Sequence, residues 1–150
     1  MKKFLSITLV LVMVLTLCAC GKEELKDPNT VVIGDAQAVF TGCEIAKNSD
    51  GNDAIVLSFD YTNNSKDAQI FSFAMFYIIK QGDQELNYCT VYAEDGITEL
   101  DSSLLHPVDP GQTQKVQMTY TLNDLATPVV IEFSDLFDKE TASITVEIVK

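Results

Sequence analysis

Tryptophan and arginine are both missing from this 150-residue chain, and histidine occurs once, at His106. Without tryptophan, and with most Tyr and Phe residues spaced for strands, few rings are left to line the cleft of a sugar hydrolase beside its paired carboxylates. A single imidazole excludes a paired-histidine metal motif and leaves no base close in sequence to any thiol. No glycine-rich phosphate loop or nucleophile elbow is present. Positive charge is scarce as well: ten lysines stand against 22 acidic residues, a net charge of −12. So acidic a chain repels nucleic acid and anionic lipid headgroups, which excludes a nucleic-acid partner and suits a soluble domain that must not collapse onto a membrane. Long apolar runs are lacking too, apart from one at the start of the chain.

That run carries the clearest message. Lys2 and Lys3 precede an apolar centre from Phe4 to Leu17, followed by Leu17-Cys18-Ala19-Cys20. A basic start, an apolar centre of about 7–15 residues and small residues at the cut make an export signal. The stretch falls just short of the roughly 18–20 residues that a membrane span needs. The cut resembles a bacterial lipobox, with Leu17 three positions before it, Ala19 just before it and Cys20 just after. A thioether to diacylglycerol needs a sulfur nucleophile at the new N-terminus, and Cys20 supplies it, with Cys18 on the discarded side. Two acyl chains, at about 0.8 kcal/mol per buried CH₂, hold a protein stably on a bilayer. The expectation is a cleaved lipoprotein signal peptide over residues 1–19 and lipidation at Cys20. The cell membrane is then one partner, through that lipid, and the body lies on its extracytoplasmic face.

Cleavage leaves 131 residues, eight lysines and all 22 acids, a net charge of −14. That length builds one domain. Residues 20–30 form a polar tether, Gly21 to Thr30 spanning at most about 30–35 Å when extended. Residues 31–150 form the body. Its pattern is of strands: Val31–Ile33, then Val39, Thr41, Cys43 and Ile45 in alternation. Ala54–Tyr61 sets Ile55, Leu57, Phe59 and Tyr61 on one face. Ile70–Ile79 reads as a strand buried on both faces or as a short helix, and its aromatic and β-branched content with Gly82-Asp83 beside it favours the strand. Glu85–Tyr92, Gln112–Leu122, Val129–Phe133 and Ala142–Val149 complete the set, with Leu104-Leu105 as a plug for one end of the core. About seven to eight short strands with turn signals between them predict an all-β sandwich.

Three segments carry a family resemblance: Ile55–Ser65 ending in Asn63-Asn64-Ser65, Pro110–Leu122 opening on Pro110-Gly111, and Pro128–Asp135. They resemble the immunoglobulin-like (telokin-like) extracellular domain of unknown function found on Gram-positive lipoproteins, over most of Val31–Lys150. The resemblance implies an immunoglobulin-like β-sandwich outside the membrane. That family has no established catalytic residues, so none is carried over, and Cys43 and Cys89 are not part of its pattern.

Cys43 and Cys89 are the two cysteines left in the body. Outside the cytoplasm they form a candidate disulfide between strands, and two separate thiols behaving as small apolar residues stand as an equal alternative. Two acidic loops are candidate interaction sites: Asp50 and Asp53 in one, Glu94, Asp95, Glu99 and Asp101 in the other. Asp50-Gly51-Asn52-Asp53 clusters oxygen atoms but lacks the spacing and distal glutamate of a calcium loop, and reads as a turn. No motif calls for a metal or a cofactor. The expected function is a non-enzymatic binding or interaction module at the cell envelope, its partner a protein or small molecule met through these loops. The alternative is a small envelope hydrolase or protease-inhibitor-like regulator, which would need a pocket with carboxylates converging on His106.

Overall fold

A computed structural model describes residues 27–96, 98–137 and 139–148. The signal segment 1–19, Cys20 and the tether as far as residue 26 lie outside the described residues. The chain opens with β1 (Thr30–Ile33), β2 (Ala36–Lys47) and β3 (Asp53–Asn63). Next come β4 (Gln69–Ile70), a one-turn helix α1 (Phe71–Ala74), β5 (Phe76–Gln81) and β6 (Gln84–Glu85). An excursion over residues 86–106 contains a 3₁₀ helix, Leu100–Leu105, and leads to β7 (Pro107–Val108), β8 (Thr113–Thr121), β9 (Val129–Ser134) and β10 (Thr141–Val146).

One antiparallel sheet runs β1-β2-β3-β8, the other β10-β9-β5-β6, and β4 pairs with β7 apart from both. This is the expected β-sandwich. Seven of the described strands have four residues or more. Alternation decides which face is buried. Ile55, Leu57, Phe59 and Tyr61 of β3 and Val116 and Met118 of β8 meet Ile79 of β5, Val129, Ile131 and Phe133 of β9, and Ile144 and Val146 of β10 in a single core. Phe59 is its centre, with ring centroids 5.4 Å from Phe40 and 5.7 Å from Phe133, both edge-on. A buried ring of this kind contributes about 2–3 kcal/mol by area, and each edge-on pair about 0.5–1.5 kcal/mol more.

Turn chemistry sets the connections. Between β7 and β8, Gln112 N donates to Asp109 O at 3.0 Å across Pro110 and Gly111, and Gly111 takes φ +74°. Proline second and a left-handed residue third define a type II turn, which glycine occupies without strain. Buried Asn63 closes β3: its Nδ2 donates to Asp67 O and Val108 O, each at 2.8 Å, and its Oδ1 accepts from Ser65 N at 2.9 Å and Ser65 Oγ at 2.7 Å.

Two expected strands differ. Ile70–Ile79 is not continuous: Ile70 ends β4 against Pro107, while Phe76 begins β5 against Ser134. The chain steps between two ladders, and α1 makes the step, turning Phe71 and Met75, four residues apart, into the core. Glu85–Tyr92 is a strand only at its start. Beyond Glu85 it runs along the open edge of β8, where Cys89 N donates to Thr119 O at 3.2 Å and Thr121 N donates to Asn87 O at 2.9 Å. Ala142–Val149 is shorter than expected, its strand ending at Val146. Of the predicted plug, Leu104 is buried and Leu105 exposed.

The excursion positions the site. On one flank β1 touches β10. On the other, residues 86–106 bridge β5 and β8: Leu86 N donates to Ile79 O at 2.8 Å, and Gln117 N donates to Ser103 Oγ at 3.3 Å. The same segment lays Cys89 and Val91 over Ala54 and Val56, on the face of β3 turned away from the main core. It covers the free edge of β8, which would otherwise offer unpaired backbone groups to other chains.

Candidate functional site

The six acidic candidates separate into three places. Asp50 and Asp53 sit in the β2–β3 turn, which Asn48 organises: its Oδ1 accepts from Asp50 N at 3.0 Å and Asn52 N at 2.9 Å. Asp50 is exposed, and Asp53 pairs with Lys47 at 2.7 Å. Glu94 and Asp95 lie at the exposed tip of the excursion, where Asp95 accepts from Thr98 N at 2.8 Å. Only Glu99 and Asp101 share a concavity. Among the described residues no group of three His, Cys, Asp or Glu side chains is placed to hold a metal ion.

That concavity, about 300 Å³, is lined by Ser72, Tyr77, Tyr88, Asp101 and Leu104, with Glu99, Ser102 and Leu105 at its margin. Each side chain arrives from a different piece of the fold. Ser72 comes from α1, its Oγ donating to Leu104 O at 2.9 Å. Tyr77 comes from β5, its ring 5.7 Å from Phe71 and 6.4 Å from Phe133. Tyr88 comes from the ragged edge segment and stands edge-on to Tyr120 at 6.3 Å. Asp101 comes from the second position of the 3₁₀ helix.

Asp101 is the unusual member. It is only 8% exposed. Its Oδ2 accepts a hydrogen bond from Tyr88 Oη. Its Oδ1 is buried and, among the described residues, has no hydrogen-bond partner. A buried carboxylate oxygen without a donor costs free energy, and folded chains rarely leave one so. The surrounding phenols stay protonated. Tyr88 is pushed up to about 12, first by its bond to Asp101 and then by burial. Tyr77 is pushed higher, chiefly by burial, with Tyr120, Asp101 and Tyr88 adding to it. Burial also raises Tyr120, with Glu85 and Asp101 contributing. The pocket thus combines fixed phenol rings with a carboxylate oxygen facing no donor.

Larger hollows lie elsewhere. One of about 530 Å³, beside the β1–β2 hairpin, is flanked by Phe73, Phe76 and Leu136 with Asp35 and Glu140. Glu140 accepts from Gly34 N at 2.6 Å there, so its carboxylate already has a donor. The Asp101 pocket is smaller but holds the unmet polar demand.

The thiols are free, Cys43 exposed and Cys89 buried. Cys43 stands opposite Leu57, on the core-facing side of the first sheet, while Cys89 packs on Val56 on the other side. The sheet lies between the two thiols. Burial raises both thiol pKa values, the reverse of what a reactive cysteine needs. His106 is exposed, and its backbone N caps the 3₁₀ helix on Ser103 O at 3.2 Å.

Sequence reasoning named Glu99 and Asp101 but missed Tyr77, Tyr88 and Ser72. Their convergence depends on the excursion folding back, which no local spacing records. The one local signal was the flanking of Asp101 by Leu100 and Leu104, apolar neighbours that pull an acid toward the interior.

Comparison with known proteins gives the following. A family model described as Domain of unknown function (DUF5067) matches residues 22–135. A solved structure of a candidate lipoprotein from Staphylococcus aureus superposes with a TM-score of 0.65 at 14% identity, covering 81% of this chain and 90% of that one. A protein from Enterococcus faecalis, solved by NMR, gives 0.61 at 21% identity, covering 82% and 92%. An uncharacterized β-sandwich protein from Clostridium difficile gives 0.55 at 17% identity, covering 83% and 97%. At these identities the likeness is one of fold. Among the curated proteins none matches this chain.

Proposed function

The chain belongs to the DUF5067 family, domains whose function is undefined, and from that premise we propose that it is a non-enzymatic binding module, lipid-anchored at Cys20 on the outer face of the cell membrane, that takes a small ligand or a partner's side chain into the Asp101 pocket. The observation that carries the binding role is that Asp101, whose Oδ1 is buried and without a donor among the described residues, lines one hollow with Tyr77 and Tyr88. A polar group converging on a mostly apolar concavity is the usual form of a ligand site. The rings and the carboxylate are held before any ligand arrives, which limits the ordering that binding must impose.

The anchoring rests on the lipobox, Leu17-Cys18-Ala19-Cys20. A candidate lipoprotein among the similar structures agrees with it. Against the hydrolase alternative, His106 is exposed and does not line the pocket, and the pocket's phenols lie too high to act as bases near neutral pH.

Two experiments test this. Labelled palmitate should mark the wild type and not Cys20→Ala; equal labelling of both removes the anchor. A set of cationic, neutral and anionic fragments is then titrated into the mature chain carrying Cys20→Ser, and the Tyr77 and Tyr88 ring resonances are followed. At least one class should shift both rings saturably. If none does, the pocket is not a binding site.

A further inference from the structure

We propose that the Asp101 pocket selects an alkylammonium group, a compact organic cation whose N–H donates to Asp101 Oδ1 while its carbon stem lies along the rings and Leu104. This rests on the binding role given above and names its chemical class. An ionised carboxylate only accepts hydrogen bonds. One oxygen of Asp101 is served by Tyr88, and the other is buried with no donor among the described residues. What the pocket lacks is therefore a donor, and one carrying positive charge gains most from a desolvated carboxylate.

The electrostatics agree. Asp101 and Glu99 both line the hollow, and no lysine does. The ion pairs among the described residues, Lys47–Asp53 and Lys80–Glu132, use other carboxylates. A pocket with one sign of charge and low-dielectric walls concentrates the opposite sign and rejects anions. The walls supply the rest. Tyr77 and Tyr88 line the hollow with aromatic surface, which suits a cation, and Leu104 and Leu105 add apolar surface for a stem.

Other occupants fit less well. Calcium takes about six to eight oxygen ligands, and the described residues hold no cluster of three acids or other metal-binding side chains. A neutral polyol would leave the charge of Asp101 unbalanced. An anion would meet two carboxylates.

The test uses the mature chain with Cys20→Ser and four probes: n-butylammonium, n-butanol, tetramethylammonium and acetate, each read on the Tyr77 and Tyr88 ring resonances. Butylammonium should bind with a millimolar constant, as suits so few atoms. Tetramethylammonium keeps the charge but has no N–H, and should bind about tenfold more weakly, a difference of about 1.4 kcal/mol. Butanol and acetate should bind at least tenfold more weakly than butylammonium. Asp101→Asn should abolish saturation by butylammonium, and Glu99→Gln, at the exposed margin, should weaken it a few-fold. Asp101→Asn risks the fold, but the comparison of four probes on the unsubstituted pocket decides without it. Butanol binding as well as butylammonium would overturn the ammonium assignment and leave the binding module standing. No shift from any probe, with shifts from other fragments, would also overturn it. No shift from any fragment whatever would overturn both.

Discussion

Replacing Asn63 should cost more than replacing any exposed polar residue, because its side chain completes four hydrogen bonds at the end of β3. Nδ2 serves Asp67 O and Val108 O, and Oδ1 serves Ser65 N and Ser65 Oγ. Asn63 itself is 0% exposed, and its bond to Val108 O is wholly buried. In Asn63→Ala that carbonyl keeps its place in the β4–β7 ladder but loses this buried second bond, at about 1–2 kcal/mol. The Asp67 and Ser65 groups are partly accessible and recover some hydration, so each adds about 0.5–1 kcal/mol. The sum is about 2.5–5 kcal/mol, a large part of the about 5–15 kcal/mol that holds an ordinary domain. Neighbouring Asn64, exposed in the same turn, is the control and should change stability by less than about 0.5 kcal/mol. Urea unfolding followed by circular dichroism measures both, with the midpoint rather than the slope expected to move. A loss under 1 kcal/mol for Asn63→Ala, or one equal to that of Asn64→Ala, would refute this account of how β3 is tied to β7.

Further outcomes follow from the same structure. Gln81 is nearly buried, its Nε2 donating to Asp124 O and Thr127 O and its Oε1 accepting from Asn123 N at 2.8 Å. Gln81→Leu should cost about 2–4 kcal/mol and speed hydrogen exchange in the β8–β9 loop, while unchanged exchange would count against the role. Tyr88, facing Asp101, Glu99, Tyr77 and Tyr120, should ionise near pH 12 by phenolate absorbance. Because the folded value lies above the ordinary 10, its contribution to stability is complete below pH 10 and is lost as pH rises through about 12. Asp101→Asn should bring that value down, and an unchanged titration would show that the bond to Asp101 is not its main cause. In the Cys20→Ser mature chain, two thiols should react after unfolding without reductant. Cys43 should react first in the folded state and Cys89 only on opening, whereas zero thiols would mean a bridge.

The sandwich was legible because its central strands obey period two. Ile55, Leu57, Phe59 and Tyr61 alternate with polar or outward residues, as do Val116 and Met118, and the buried set follows that pattern. Ile70–Ile79 misled because continuous apolarity reports burial and not conformation. A strand end, a helical turn and a second strand all bury side chains there, and the switch is imposed by two separate ladders. Ile45 shows the converse limit. It lies in register with core residue Ile55, yet is 40% exposed, because its strand outruns the part of the core that could cover it. Asp101 was legible as an acid in an acidic loop and illegible as a buried one. Its burial comes from Tyr88, 13 residues away in sequence, and from a 3₁₀ helix pinned to β8, both long-range contacts that no spacing encodes. The tyrosines were assigned to strand alternation, which is correct for Tyr77 and Tyr120 in β5 and β8 and incomplete for what their hydroxyl ends approach.

The most direct test of the central claim is a crystal structure of the mature chain grown with n-butylammonium. The account predicts a nitrogen within about 3 Å of Asp101 Oδ1, the usual length of a hydrogen bond to a carboxylate, with Tyr88 Oη still on Oδ2. An Asp101 side chain turned onto a protein donor, with the hollow closed around it, would contradict the account.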